Sequence, residues 1–215
     1  MTDKLVRTEK RDRIITITID NPPVNAISTK GLVALNAAFD EAEADKTARC
    51  IVFTGAGERA FCAGGDLREE KDFGDPKTAA DNSVFRAGDA YLGIVPSWGM
   101  GLTRLPRYVG RNRALDILLI GENFGAREAF DMGLVTKVVP RAGLMDEAYR
   151  VAARIAKASP MAIRATREAV AYNLRHGWDE MVRFETELCD RVFTHPDAHE
   201  GTHAFAEKRE PRFQD

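Results

Sequence analysis

Ala60-Phe61-Cys62-Ala63-Gly64-Gly65-Asp66-Leu67 is the stretch on which the reading of this 215-residue chain turns. It follows Cys50-Ile51-Val52-Phe53-Thr54-Gly55, an apolar run with the length and residue types of a buried strand. It leads into Asp66-Leu67-Arg68-Glu69-Glu70, where an aspartate suited to an N-cap and two early glutamates predict the start of a helix. Gly64 and Gly65 lie between. Glycine allows a sharp turn and leaves the backbone N–H groups unshielded. Such groups at a helix N-terminus attract negative charge, including charge that exists only in a transition state. A plain strand-to-helix turn reads equally from the glycine pair alone.

Working outward toward the N-terminus, residues 5–8 and 14–19 flank the charged stretch 9–13 and predict a hairpin. Ile15, Ile17 and Ile19 alternate with polar residues and share one face. Ser28 is placed to cap a helix running to about Ala44, with Leu32, Leu35 and Phe39 on one face. Strand, helix and strand in that order predict a right-handed parallel crossover.

Toward the C-terminus the pattern falters. Residues 69–81 are charged and broken by Gly74 and Pro76, and only Ser83-Val84-Phe85 is apolar before Gly88. The remainder reads as helical. Helices are predicted over Arg111–Ile120, over 126–132 with Gly133 closing the second, and over 144–158, 161–174 and 178–194. Residues 134–139 read as a short strand before Pro140. In the helix over 178–194, Met181, Phe184, Leu188 and Val192 fall on the inward face. The expectation is an α/β chain with a core over 1–140 and a helical oligomerisation subdomain over 141–215.

Composition narrows the partners. Thirty-one basic and 33 acidic residues leave a formal charge of −2, which argues for neither a nucleic-acid nor a membrane partner. Hydrophobic residues make up 44% of the chain, enough for a sizeable core. Cys50, Cys62 and Cys189 form no metal spacing and no even disulfide set, so reduced thiols and a cytoplasmic location are expected. The first residues lack a signal-peptide core, and no apolar run is long enough to cross a bilayer. His195, His199 and His203 recur every four residues, but Pro196 and Gly201 argue against one continuous helix, and no metal site is assigned.

The octet at 60–67 closely resembles the AFxAGxDL signature of the crotonase family, the enoyl-CoA hydratases and isomerases. The resemblance continues in order through Ile19-Asp20-Asn21-Pro22-Pro23-Val24-Asn25-Ala26-Ile27 and the block from Leu92-Gly93 through Pro96 to Arg104-Leu105-Pro106-Arg107 and Val109-Gly110. It goes on through Ala126-Arg127-Glu128-Ala129 with Gly133-Leu134-Val135, and ends in Glu200-Gly201, Phe205 and Glu207-Lys208-Arg209. One departure is sharp. The family inserts several dozen residues after the signature, including a strand ending in a Gly-Gly-Gly turn, and none is found here. The shortening is expected near Thr78–Ala80.

The resemblance implies a crotonase-like fold of the ClpP/crotonase type and an acyl-CoA thioester as substrate, with no further cofactor. It implies a homotrimer or a dimer of trimers. It makes the Gly65 amide one donor to a thioester enolate, the second donor belonging to the absent glycine turn. One of the family's two carboxylates is absent with that turn, and Asp89 stands where the other is expected, one methylene short of glutamate. A turn residue after Gly88 is the other reading of Asp89. Ala60, Ala63, Gly64, Gly65, Asp66 and Leu67 become the candidate CoA-binding turn. Pro96 and Trp98 become candidates for the acyl pocket, with a packed loop aromatic the alternative for Trp98. Phe205 and Lys208 become candidates for the CoA end, with a solvated charge run the alternative. Two functions follow: a hydratase or isomerase, or a shortened paralogue that binds CoA or only oligomerises.

Overall fold

The computed structural model describes residues 5–64, 78–96 and 101–214. Gly65, Asp66, Leu67 and Trp98, and the helix expected after Asp66, lie outside the described residues.

Strands β1 (Val6–Arg11) and β2 (Ile14–Ile19) pair antiparallel, and β3 (Cys50–Gly55) pairs parallel to β2 with Ile14 opposite Cys50 and Ile19 opposite Gly55. Helix α1 (Thr29–Ala44) makes the crossover between β2 and β3, as its sequence predicts. Ser28 caps it, its Oγ accepting from Gly31 N at 3.1 Å. The hairpin turn is tighter than expected: Glu9, Lys10 and Arg11 belong to β1, and Asp12 takes the left-handed conformation at the turn. The charged residues join the strand because β1 is an edge whose side chains face solvent, where charge carries little desolvation cost.

The two faces of β2 build two cores. Ile15, Ile17 and Ile19 pack on Ile27, Leu35, Ala38 and Ala42, with Leu32 and Phe39 beside them. Ile14 and Val52 pack on the other side against Ala152 of α5 (Leu144–Ala156), and Thr16 shares a 2.7 Å hydrogen bond with Tyr149. The sheet is therefore covered on both faces, which is why its residues are nearly all buried.

Thr78–Ala80, where the shortening is expected, is a strand, β4. After it come β5 (Val84–Phe85), a 3₁₀ turn (Asp89–Leu92), α2 (Gly101–Val109), α3 (Arg111–Ile120), β6 (Phe124–Gly125), α4 (Ala126–Asp131) and β7 (Lys137–Val139). β4 pairs parallel with β7, and β5 pairs antiparallel with β6. The strand expected over 134–139 shrinks to β7, because the amides of Leu134 and Val135 are taken by Ala129 O at the end of α4. Ala79, Ala126, Ala129 and Val135 make a third core.

Helices α6 (Pro160–Asn173), α7 (Trp178–Phe193) and α8 (Pro196–Ala206) follow. Leu188 is buried, and Met181, Phe184 and Val192 are half-buried on the same face, as the periodicity predicts. One expectation is corrected. Pro196 and Gly201 do not break the last helix: Pro196 is its first residue, where no intrahelical donor is lost, and His195 is the N-cap. Even so, the described residues contain no group of three acidic, cysteine or histidine side chains able to hold a metal, and no described helix is long and apolar enough to cross a membrane.

Glu147 of α5 ties this helix to β7 through Lys137 at 2.6 Å and to Arg150 at 2.7 Å. Arg150, then Lys137, hold its carboxyl well below the ordinary 4.5, at about 2. A depressed carboxyl stabilises the fold above its unfolded value and loses that contribution as pH falls toward the folded one. Glu147→Gln is therefore expected to lower stability at neutral pH and to flatten the stability profile between about 4.5 and 2, read by urea melts across that range.

Candidate active site

The loop after β3 is shaped by a contact only glycine allows. A Cβ on Gly55 would lie 2.1 Å from the carbonyl oxygen of Phe61 and 2.8 Å from Asn25 Nδ2. The chain thus folds back on its own strand end, and it is held there by Asn25. This side chain is buried at 2% exposure, on a residue in the left-handed conformation. Its Nδ2 donates to Ala56 O and to Ala60 O, both at 2.8 Å, and its Oδ1 accepts from Asn21 N at 3.0 Å. Two backbone bonds complete the brace: Ala63 N to Val24 O, and Ile27 N to Gly64 O, each 3.0 Å.

Phe61 adds a lateral fixing. Its ring stands edge-on to Phe53 at 5.2 Å, and Phe53 stands edge-on to Phe39 of α1 at 5.4 Å. Cys62 turns inward against the α1 core, and its Sγ accepts from Gly64 N at 3.3 Å. Burial pushes this thiol above its ordinary value, so it packs as a neutral group and is no nucleophile.

The candidate binding residues are thereby sorted. Ala60 is half-buried with its carbonyl consumed by Asn25, and Ala63 is exposed with its amide consumed by Val24. Gly64 is exposed at φ +94°, and nothing lies within 4 Å of where a Cβ would be. The backbone here is open to close approach by another molecule.

Asp89 begins the 3₁₀ turn, half-buried. Its carbonyl accepts from Ile94 N at 3.2 Å, and its carboxylate makes no hydrogen bond to a described residue. The backbone of Asp89 thus does a turn residue's work while the side chain stays uncommitted among the described residues. The turn is fastened to the end of α3 by Arg86 Nε donating to Gly121 O at 2.9 Å, with the Tyr91 ring lying over Gly121. Pro96 is half-buried, its carbonyl set against Gly101 at the start of α2.

Phe205 stands 86% exposed on α8, and Lys208 just beyond it is exposed at φ +56°. Arg209, by contrast, is committed to Glu200 at 2.6 Å and to Glu207 at 2.6 Å, which holds the Glu200 carboxyl down at about 2. Among the described residues no hydrogen bond, ion pair or ring contact links the 60–64 loop, the Asp89 turn and the Phe205–Lys208 end to one another.

Residues 9–75 and 71–215 match the family model described as enoyl-CoA hydratase/isomerase. The chain belongs to the enoyl-CoA hydratase/isomerase family, and is an enzyme of it. A probable enoyl-CoA hydratase, echA8, of Mycobacterium tuberculosis is 30% identical, with 99% of each chain covered. The carnitinyl-CoA dehydratase of Proteus mirabilis is 30% identical, covering 95% of this chain and 96% of its own. An enoyl-CoA hydratase structure from Mycobacterium tuberculosis H37Rv superposes with a TM-score of 0.91 at 28% identity, covering 99% of both chains. One from Bacillus anthracis gives 0.91 at 25%, covering 97% of this chain and 98% of the other. The fold is therefore the crotonase fold.

The crotonase relatives are longer in the middle. Ninety-nine per cent of 215 residues is about 213, against an alignment of 256 positions with echA8, so about 43 aligned positions face no residue of this chain. The two matches to the family model meet at 71–75, a few residues before Thr78–Ala80.

Asn25 and Gly55 carry no role in the sequence reading, although the Asn-Pro-Pro-Val-Asn turn and a glycine closing an apolar run were the available signals. Asn25→Ala leaves two carbonyls and an amide short of partners, each costing about 1–3 kcal/mol. A loss of about 3 kcal/mol in urea unfolding is expected, with Gly55→Ala at least as damaging because its Cβ meets backbone.

Proposed function

We propose that this crotonase acts on an acyl-CoA thioester as an enoyl-CoA hydratase or isomerase, holding the thioester oxygen against backbone amides of the Ala63-Gly64-Gly65 turn while a carboxylate moves the proton. The observation that carries the reading is Gly64: exposed, left-handed, with open space where a side chain would stand, on a loop fixed by Asn25 and Gly55. A loop so braced meets developing charge without reorganising, which is where oxyanion stabilisation gets its strength. The amide of Ala63 is spent on Val24, so the donor is the one that follows, at Gly65.

The proton carrier in this reading is Asp89, whose carboxylate is unengaged among the described residues on a turn anchored by Arg86 and Tyr91. The related proteins named as hydratases and a dehydratase support turnover over a binding-only role. The second oxyanion donor and second carboxylate fall within the positions this chain lacks. A missing donor lowers the rate by about 10²–10³. Phe205 and Lys208 serve the nucleotide end of CoA in this reading, and Lys208 does so in preference to Arg209, whose guanidinium is already paired.

The assembly we infer is a homotrimer or a dimer of trimers. Tyr91, Leu92, Val95 and Leu119 are each about 60% exposed or more, as is Trp178, which is more apolar surface than a lone chain of this size needs to show. A cytoplasmic setting fits three free cysteines.

The test uses a 2-enoyl-CoA, followed by hydration and by α-hydrogen exchange in heavy water read by NMR. Asp89→Asn is expected to abolish both while leaving acyl-CoA affinity nearly unchanged, and Asp89→Glu to preserve or raise the rate. Exchange in Asp89→Asn as fast as in the parent overturns the assignment. Acyl-CoA at a hundred times its dissociation constant is expected to stabilise the chain by about 2.7 kcal/mol. Gly64→Val is expected to lose that protection; calorimetry showing unchanged affinity would remove the turn from the site.

A further inference from the structure

Two strand edges lie open at the middle of the fold. β3 pairs with β2 and β4 pairs with β7, and neither has a second strand partner among the described residues. Yet both lie under one helix. Cys50 and Val52 of β3 pack against Ala148, Ala152 and Tyr149 of α5, and α5 packs on β4 as well. Neighbouring strands sit about 4.8 Å apart, so two strands that share a helix without pairing are separated by at least about twice that.

Arg141 holds this spacing. Its backbone N–H donates to Asp81 Oδ1 at 3.2 Å, one residue past the end of β4. Its guanidinium donates to Glu58 O, three residues past the end of β3. One arginine therefore spans from the C-terminal end of one strand to the C-terminal end of the other, which also makes the two strands parallel.

The sequence comparison says what this opening matches. The positions that echA8 has and this chain lacks fall between β3 and β4, at the 71–75 junction. The flanking elements have not closed over them, since 99% of the chain still superposes on a full-length family structure at a TM-score of 0.91.

We propose that the facing edges of β3 and β4 form a slot for one added parallel β-strand, and that its occupant is an apolar strand presented by a partner polypeptide. Unpaired N–H and C=O groups on two edges supply the ladder, and the alanine-rich face of α5 selects small or β-branched side chains on one side of the incoming strand. A second copy of this chain does not fit. Its exposed edge, β1, carries Arg7, Glu9, Lys10 and Arg11, and any other edge arrives with a sheet attached, too wide for a one-strand opening. The proposal stands apart from the acyl-CoA reading, and its test uses no activity.

The probe is the echA8 stretch that faces no residue of this chain, fused to a soluble carrier domain, with a scrambled stretch on the same carrier as control. It is titrated into the full chain by calorimetry, and amide exchange is followed by mass spectrometry. Expected is one probe per chain, with exchange slowed about tenfold or more in peptides covering 50–55 and 78–85 and unchanged by the scrambled probe. Arg141→Ala is expected to weaken binding about tenfold while the free chain keeps its unfolding midpoint, because Arg141 is a surface strut. The proposal is overturned by no binding, by protection confined to other segments, by β3 already fully protected without the probe, or by self-association that protects β3 in its place.

Discussion

The buried carboxamide of Asn25 is the interaction on which the functional end of this crotonase depends. Two carbonyls, of Ala56 and Ala60, must be satisfied away from water, and one amide, of Asn21, needs an acceptor. A neutral side chain with two donor hydrogens and an acceptor meets all three demands at once. An aspartate of the same shape would set its oxygens against the two carbonyls and bring a charge into a site with 2% exposure. The brace joins the turn after β2 to the loop after β3, so the parallel pairing of these strands and the direction of Gly64 become one structural decision. Gly55 completes it by removing the only atom in the way.

The second constraint is the sheet's need for cover on both faces. α1 supplies one side through Leu35, Ala38 and Ala42, and α5 supplies the other through Ala152. Because α5 comes from beyond β7, the core cannot be finished until the later part of the chain returns to it. Lys137–Glu147 and Arg141 fasten that return. The Asp89 turn hangs on a separate anchor, Gly121 at the end of α3, so the two halves of the proposed site are positioned by different elements. Such a division suits a site whose binding loop must be rigid while its acid–base group is set by packing elsewhere.

The C-terminal helices are organised by a buried acid with no catalytic part in this scheme. Asp197, at 4% exposure, accepts from Ser159 Oγ at 2.6 Å and from Gln214 N at 2.9 Å. It thereby binds the start of α6, the start of α8 and the tail into one junction. His195, which caps α8 by accepting from Asp197 N, is structural for the same reason. The regular spacing of His195, His199 and His203 reflects a helix, with the last two exposed.

Sequence by itself determined what depends on neighbours along the chain. Ser28 and α1, the isoleucine face of β2, the strand at 50–55 and the inward face of α7 all follow from spacing, capping and residue shape, which act over a few positions. The motif order also carried the family, because the blocks around 60–67, 92–110 and 200–209 keep their chemistry wherever the chain is cut. Tertiary structure alone decided the rest. No local signal says that Asn25 reaches Ala56 and Ala60, that Gly55 faces the carbonyl of Phe61, or that Arg209 is spent on Glu200 while Lys208 is not. Nor does any say that Thr78–Ala80 is a strand, since three small residues gain that identity only from pairing with β7. Pro196 makes the same point in reverse: read locally it breaks a helix, and in the fold it begins one, because the donor it lacks is one that a first turn never uses.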